Sequence, residues 1–224
     1  NGNSDRDIYL DNDYKYSEED SAFKDGIIID RDLNVYGNGH TINGSNQARI
    51  FKINNGNVVF HNITFTNGNT NDDGGAINGE CTAIDCTFTN NTAKYGGAMI
   101  FGYAINCTFT TNRADWGGAM WGGSAINCTF TNNTANMDGG AMYPRSAINC
   151  TFTGNTAIRD GGAIFHGYYL ACIGQEGDYY ECDSLDLYFD VSDFTSTYKS
   201  NKMFRIILKG QDDRIDFINV DVVI

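Results

Sequence analysis

A repeat of 21 or 22 residues is the feature that most constrains the fold of this 224-residue chain. The sequence Ile-Asp/Asn-Cys-Thr-Phe-Thr occurs four times, beginning at Ile84, Ile105, Ile126 and Ile148. The motif Gly-Gly-Ala, followed by Ile or Met, occurs five times, beginning at Gly74, Gly96, Gly117, Gly139 and Gly161. Because the two motifs share one period and stay in phase, they indicate a single structural unit that recurs along the chain.

The residues of this unit favour short β-strands separated by tight turns. Cys-Thr-Phe-Thr alternates apolar and polar side chains, as a half-buried strand does, and Asn-Asn and Gly-Gly pairs tolerate the positive φ of a turn. The period is too short for helical repeats, which need roughly 33 residues or more. The sequence therefore predicts an all-β, right-handed, single-stranded parallel β-helix. Each coil would hold about three strands and lie about 4.8 Å from the next.

The two ends of the chain depart from the repeat, as the ends of a solenoid must. We expect roughly seven coils over residues 26–174. Residues 1–25 are predicted to form an N-terminal cap, in which Ser17 begins a short helix. The repeat dissolves after Gly174, and residues 175–224 are expected to form either a C-terminal β cap or the start of a following domain.

The strand alternation places the Cys and Phe of each unit inside the solenoid. The predicted inner phenylalanine stack comprises Phe65, Phe88, Phe109, Phe130 and Phe152. The predicted cysteine stack comprises Cys86, Cys107, Cys128, Cys150 and Cys172. An Asn follows three residues after the last four phenylalanines, at Asn91, Asn112, Asn133 and Asn155. We expect these Asn side chains to bond to the backbone groups that a tight bend leaves unpaired.

The seven cysteines do not have the arrangement of a disulfide framework. Stacked cysteines would have their Cβ atoms about one strand spacing apart, which exceeds the roughly 3.5–4.5 Å of a disulfide. This favours free, buried thiols. Cys81 and Cys182 fall outside the ladder, and their pairing stays open. A zinc site is not expected, because there is no Cys-x-x-Cys pair and the three histidines are dispersed.

The position after each Gly-Gly-Ala-Ile/Met unit is expected to face outward. It holds Asn78, Ile100, Trp121, Tyr143 and Phe165. Soluble proteins rarely expose such a row without using it, and aromatic rings stack on sugars or fill pockets of a partner. Tyr95 and Trp116, just before their Gly-Gly pairs, form a second predicted stack. We predict that both aromatic groups bind ligand. The alternatives are that the C-terminal segment covers this face, or that the strand parity is the opposite.

Three carboxylates occupy the position before Gly-Gly, namely Asp73, Asp138 and Asp160. Asp138 and Asp160 should lie one coil apart, at about 5 Å, a separation that retaining glycosidases use between their two acids. Oxygen ligands at this spacing also suit calcium. The remaining interpretation is that each Asp satisfies the turn before its glycine. Asp138 and Asp160 are therefore candidates for catalysis, and all three residues are candidates for calcium binding or for a structural role.

The charge of the chain disfavours several other functions. Its 28 acidic and 15 basic residues give a formal net charge of −13, which argues against nucleic-acid binding because that requires an excess of Lys and Arg against phosphates. No apolar run approaches the roughly 20 residues of a membrane helix, so we expect no membrane span in this segment.

The repeats resemble those of two groups of surface proteins. Chlamydial polymorphic membrane proteins carry Gly-Gly-Ala-Ile and Phe-x-x-Asn, which appear here at Gly74–Ile77 and at Phe88/Asn91 and their later copies. Adhesin-like surface proteins of methanogenic archaea are more similar still. Their N-terminal coils resemble the run Val35–Gly44 followed by Asn62-Ile63-Thr64-Phe65. The resemblance covers residues 26–165, although Gly68 replaces the Asn that should follow Phe65.

The resemblance implies a secreted, surface-attached adhesin, and three classes of function follow from it and from the residues above. The first is a non-catalytic, extracellular module that binds glycans or proteins of another cell through a lateral face, without a cofactor. The second is a polysaccharide lyase or hydrolase, since pectin-lyase-like enzymes share this architecture and Asp138 and Asp160 form a candidate pair. The third is a passive spacer that projects another domain from the cell surface.

Overall fold

A computed structural model of the chain describes residues 6–170, 172, 179–180 and 185–186. Over these residues the chain forms a right-handed, single-stranded parallel β-helix, which confirms the predicted fold class. The solenoid makes about six turns, close to the number that the repeat predicts. Each strand pairs in parallel with the equivalent strand one coil away, so the sheets run along the axis of the solenoid.

Four parallel sheets form the walls. Sheet A comprises Asp7–Tyr9, Leu33–Tyr36, Val58–His61, Thr82–Ile84, Tyr103–Ile105, Ser124–Ile126, Ser146–Ile148, Tyr168–Leu170 and Leu185–Asp186. Sheet B comprises Tyr14–Lys15, Thr41–Asn43, Thr64–Thr66, Thr87–Thr89, Thr108–Thr110, Thr129–Thr131 and Thr151–Thr153. Sheet C comprises Ile27–Ile29, Phe51–Ile53, Ile77–Asn78, Met99–Ile100, Met120–Trp121, Met142–Tyr143, Ile164–Phe165 and Tyr179–Tyr180. Sheet D comprises Arg113–Ala114, Thr134–Ala135 and Thr156–Ala157.

Residues with a left-handed backbone turn the chain at the corners between sheets. The corner between sheets A and B has φ between 50° and 55° at Asn62, Asp85, Asn106, Asn127 and Asn149. Asn and Asp tolerate this region better than other residues with a side chain. The corner before sheet C is stricter. Gly96 has a φ of 55°, and a Cβ on Gly97 would collide with the carbonyl oxygen of Gly118 in the next coil. The Gly-Gly motif is therefore a requirement of the backbone.

Phenylalanine rings stack along the centre of the solenoid. From Phe65 to Phe152, consecutive ring centroids lie 4.7–5.0 Å apart and the ring planes are within 13° of one another. All five rings belong to residues that are at most 1% exposed. Burial of one such side chain contributes about 1.5–3 kcal/mol, so this column supplies a large part of the apolar stabilisation.

A ladder of buried asparagines runs beside the phenylalanines. Oδ1 of Asn133 accepts hydrogen bonds from the backbone N–H and from Nδ2 of Asn112, at 2.9 and 3.0 Å. Nδ2 of Asn133 donates to the carbonyl of Phe109 at 3.0 Å and to Oδ1 of Asn155 at 2.9 Å. Asn91 repeats the pattern toward Asn112. The ladder thus satisfies the polar groups of successive bends with amides of the neighbouring coil.

The cysteines of the described residues are all free thiols. The buried ones are Cys81, Cys86, Cys107, Cys128 and Cys150, while Cys172 is half-buried. The backbone N–H of Cys86 donates to Sγ of Cys107 at 3.4 Å, and that of Cys107 donates to Sγ of Cys128 at 3.3 Å. The sulfur atoms therefore form a column with one thiol per coil. Burial raises the pKa of the Cys81 thiol. Cys182 lies outside the described residues.

The segment before residue 26 adds an incomplete coil to the solenoid. Asp7–Tyr9 extends sheet A and Tyr14–Lys15 extends sheet B. The predicted short helix is a 3₁₀ helix, Glu18–Phe23, and the Asp20 carboxylate accepts hydrogen bonds from the N–H and Oγ of Ser17 at 2.8 and 2.9 Å. Ile8 and Tyr14 pair with the inward residues Val35 and Ile42, yet they are 42% and 46% exposed. The N-terminal coil therefore leaves part of the core open to solvent.

The predicted C-terminal segment, 175–224, lies outside the described residues apart from two short strands. Tyr179–Tyr180 extends sheet C, and Leu185–Asp186 extends sheet A. Among the described residues, no helix has both the length and the apolar character to cross a membrane.

We predict that Asn133→Ala lowers the free energy of unfolding by about 3 kcal/mol, because it leaves buried donors and acceptors of Asn112 and Phe109 without partners. Urea denaturation followed by far-ultraviolet circular dichroism measures the effect. Asn54→Ala is the matched control, since Asn54 is exposed and should change stability by less than about 0.5 kcal/mol. Equal effects of the two substitutions would contradict the structural role of the ladder.

The five buried thiols should resist alkylation in the native protein and react once it is unfolded, because a thiol must reach solvent as a thiolate to react. Alkylation with and without urea, followed by peptide mapping, distinguishes the sites. Rapid native labelling of Cys107 or Cys128 would show that the column is open to solvent.

Candidate functional site

The predicted outward row on sheet C has the expected orientation. Met120, Met142 and Ile164 are fully buried, whereas Trp121, Tyr143 and Phe165, each the next residue along its strand, are partly exposed. The register pairs Trp121 with Tyr143, and the ring centroids of Tyr143 and Phe165 are 5.3 Å apart. The row therefore projects from the outer face of three successive coils.

Ile100 differs from the prediction for this row. It has the same register as Trp121, yet it is only 1% exposed. Asn78 is partly exposed, as Trp121 is, so the exposed aromatic part of the row begins at Trp121.

The second predicted stack joins the row to form one surface. The rings of Tyr95 and Trp116 are parallel to within 11° with centroids 4.9 Å apart. Tyr95 also contacts Trp121, edge to face, at 5.3 Å. We call the resulting cluster the aromatic band, and it comprises Tyr95, Phe101, Trp116, Trp121, Tyr143, Phe165 and His166. The two predicted groups are thus parts of one continuous apolar surface.

Phe101 and His166 are members of the band that the sequence analysis did not identify. Both have a φ of 60°, a strained conformation for a residue with a side chain. The equivalent position holds glycine at Gly79 and Gly122, both with positive φ, and Pro144 in the coil between Gly122 and His166. The Phe101 ring lies directly over Gly122, where a Cβ would come within 2.7 Å of it. A ring at a position otherwise suited to glycine is the signal that could have revealed these residues.

Phe101 is 44% exposed and contacts Trp121 edge to face at 5.2 Å. Strain of this kind costs about 1–3 kcal/mol and persists where the surroundings hold it, often at binding sites. Lys94 lies over the Tyr95 ring at 5.3 Å, which adds a cation–π contact at the edge of the band. The band therefore offers ring faces and edges, bordered by a positive charge.

The three predicted carboxylates lie in one column but do not converge. Backbone contacts give the column the order Asp73, Tyr95, Trp116, Asp138, Asp160, so two aromatic residues separate Asp73 from Asp138. Burial, reinforced by the charge of Asp72, raises the pKa of Asp73.

Asp138 is 1% exposed and forms a bidentate ion pair with Arg159 of the next coil. Nε of Arg159 lies 2.9 Å from Oδ1 of Asp138, and the carboxylate raises the pKa of the guanidinium. The Asp138 carboxylate is thus occupied by its ion pair with Arg159, so Asp138 and Asp160 do not form a pair of free carboxylates. Over the described residues, no group of three His, Cys, Asp or Glu side chains could hold a metal ion.

Comparison with known families identifies the repeat. The repeats match the Chlamydia polymorphic membrane protein repeat. The matched stretches are residues 85–98, 127–141 and 149–167, which make up well under half of the chain. No curated protein and no solved structure matches the chain. The similarity supports polymorphic-membrane-protein-like repeats, and the resemblance to the methanogen adhesin-like proteins stays a prediction.

We predict that Phe101→Gly is more stable than Phe101→Ala by about 0.5–1 kcal/mol. Both variants lose the ring, but only glycine relieves the left-handed backbone, and this gain exceeds the entropy that glycine adds to the unfolded chain. Urea denaturation of both proteins measures the difference. Asn54, which lies outside the left-handed region, is the control position. There, Asn54→Ala should be more stable than Asn54→Gly. The same order at both positions would contradict strain at Phe101.

Proposed function

We propose that this chain is a non-catalytic, extracellular module of a cell-surface protein, and that its aromatic band binds glycans of another cell. The observation that carries the proposal is the continuity of the band, because seven rings from four successive coils meet on one lateral face. Rings of this kind stack on the apolar faces of sugars, and soluble proteins seldom leave a contiguous apolar patch without a partner.

The direction of the band suits a linear ligand. Its members repeat once per coil, about 4.8 Å apart along the solenoid axis. A pyranose unit in an extended glycan has a similar length, so successive sugars would meet successive coils. The band therefore supports recognition of an extended oligosaccharide that lies parallel to the axis.

The family similarity supports the location at the cell surface. The matched repeat takes its name from membrane proteins of Chlamydia, and a β-helix built from such repeats would hold the band away from the membrane. The ion pair of Asp138 with Arg159 weighs against the alternative of a polysaccharide-active enzyme, because Asp138 is not a free carboxylate. Binding of a protein rather than a glycan is the second interpretation, and the experiment below separates the two.

We predict that the double variant Trp121→Ala/Tyr143→Ala loses glycan binding by about 30-fold or more, which corresponds to about 2 kcal/mol for central aromatic anchors. A glycan array and a cell-adhesion assay measure the loss. The matched control is Tyr9→Ala/Ile126→Ala, because these residues are 63% and 37% exposed and lie in sheet A, whereas Trp121 and Tyr143 lie in sheet C.

The two tryptophans of the chain, Trp116 and Trp121, both belong to the band, so a bound glycan should also change the intrinsic fluorescence. Equal glycan binding by the band variant and the control would contradict the proposal. Adhesion that depends on the band but is insensitive to glycosidase treatment of the target cells would indicate a protein ligand instead.

A further inference from the structure

An open cleft of about 890 Å³ lies at the N-terminal end of the solenoid. The 3₁₀ helix Glu18–Phe23 forms one side, and the loops 44–48 and 69–72 form the other. A smaller cavity of about 560 Å³ adjoins it and shares Tyr16 and Gln47. The cleft thus lies between the incomplete first coil and the two coils that follow.

The lining of the cleft is rich in planar polar groups. It includes Tyr16, Glu18, Gln47, Asn71 and Asp72. Within the part of the chain that the structure describes, the side chains of Tyr16, Gln47 and Asn71 make no hydrogen bond to the protein. Amides and carboxylates bind pairs of neighbouring hydroxyl groups, and a phenol adds an apolar face. This chemistry suits a sugar.

The buried Arg49 side chain links the two sides of the cleft. The Arg49 side chain is fully buried, and its Nε donates to the carbonyls of Asp73 and Gly74 at 3.1 and 3.2 Å. Its Nη1 donates to the carbonyl and the carboxylate of Asp25, at 2.9 and 2.7 Å. Arg49 therefore ties the segment after the helix to the loop that carries Asn71 and Asp72, so the two sides of the cleft do not depend on a ligand for their separation.

The loop 44–48 is held in a strained conformation. Ser45 and Asn46 are consecutive residues with left-handed φ, 56° and 58°. Oδ1 of Asn43 accepts a hydrogen bond from the N–H of Ser45 at 2.8 Å, and Oγ of Ser45 donates to the carbonyl of Tyr16 at 2.7 Å. These contacts fix the backbone of the loop next to Gln47. The Gln47 residue itself is exposed.

The cleft lies directly before the aromatic band along the axis. The N–H of Lys94 donates to the carbonyl of Asp72 at 2.7 Å, and Asp73 forms a β-bridge with Tyr95. One coil, about 4.8 Å, therefore separates the wall of the cleft from the first ring of the band. A chain of sugars on the band would reach the cleft at its end.

We propose that this cleft binds the terminal sugar of a neutral glycan whose following sugars stack on the aromatic band. The second half of this statement rests on the proposed function, whereas the binding of a single sugar in the cleft does not. The lining combines amides that make no hydrogen bond to the described residues with charges of both signs, namely Glu18, Asp25 and Asp72 against Lys24. Asp25 is already paired with Arg49 and Lys52, and the resulting mixture favours hydroxyl groups over a charged ligand.

The test uses glucose, galactose, mannose and N-acetylglucosamine as separate probes in the full chain, with NMR detection of the backbone amides of Glu18, Asn46 and Asp72, which line the cleft and are present in every variant. We expect saturable shifts with at least one probe in the millimolar range. The variant Gln47→Ala/Asn71→Ala should weaken that binding by at least about tenfold. Asn54→Ala/Asn55→Ala, two exposed amides outside the cleft, should leave it unchanged.

A linear oligomer of the responding sugar then tests the link to the band. It should bind the wild type more tightly than the monosaccharide does, and Trp121→Ala/Tyr143→Ala should remove that gain while the monosaccharide still binds. No saturable shift with any probe, or a shift that survives Gln47→Ala/Asn71→Ala, would contradict sugar binding in the cleft, even if glycan-array binding still depends on the band. A cleft that binds a monosaccharide without any gain from the oligomer overturns the shared ligand and leaves the two sites separate.

Discussion

The pairing of each residue with its equivalent one coil away is the constraint on which the whole structure depends. Once this register holds, every inward position becomes a column, and each side chain packs on the equivalent side chain of the neighbouring coil. Phe109 between Phe88 and Phe130, with centroids 4.8 and 4.7 Å away, shows the consequence for the core. The Asn133 amide, which bonds to Asn112 and Asn155 at once, shows it for the polar groups. A single slip would break all columns together.

The same constraint limits which positions of the coil can vary. The Gly-Gly corners allow almost no variation, because a Cβ there would collide with the backbone of the neighbouring coil. Outward positions near that corner are free of this limit, and there the column changes from Asp73 to Tyr95, Trp116, Asp138 and Asp160. The aromatic band and the cleft both lie along this variable edge. A rigid scaffold with one permissive edge is a suitable design for a binding module.

The inward ladders and the outward aromatic row could be predicted from the sequence, because they depend on alternation and period alone. The burial of Ile100 could not, since it shares the register of Trp121 and differs only in how its neighbours cover it. Phe101 and His166 were not predicted as members of the band, because the backbone conformation that places them there is unusual for residues with a side chain. The ion pair of Asp138 with Arg159 joins residues of neighbouring coils, and sequence position suggested only that Arg159 was near Asp160.

The sequence by itself determined the solenoid, its period and the inner columns of the Cys-Thr-Phe-Thr strands, because two phased motifs and their alternation leave one way to bury these apolar residues. Only the tertiary structure decided which outward side chains meet. The joining of Tyr95 to Trp121, and the cleft between the 3₁₀ helix and the loops 44–48 and 69–72, depend on the corner angles and on contacts such as that of buried Arg49 with Asp25. Those contacts link positions more than twenty residues apart, and no local pattern encodes them.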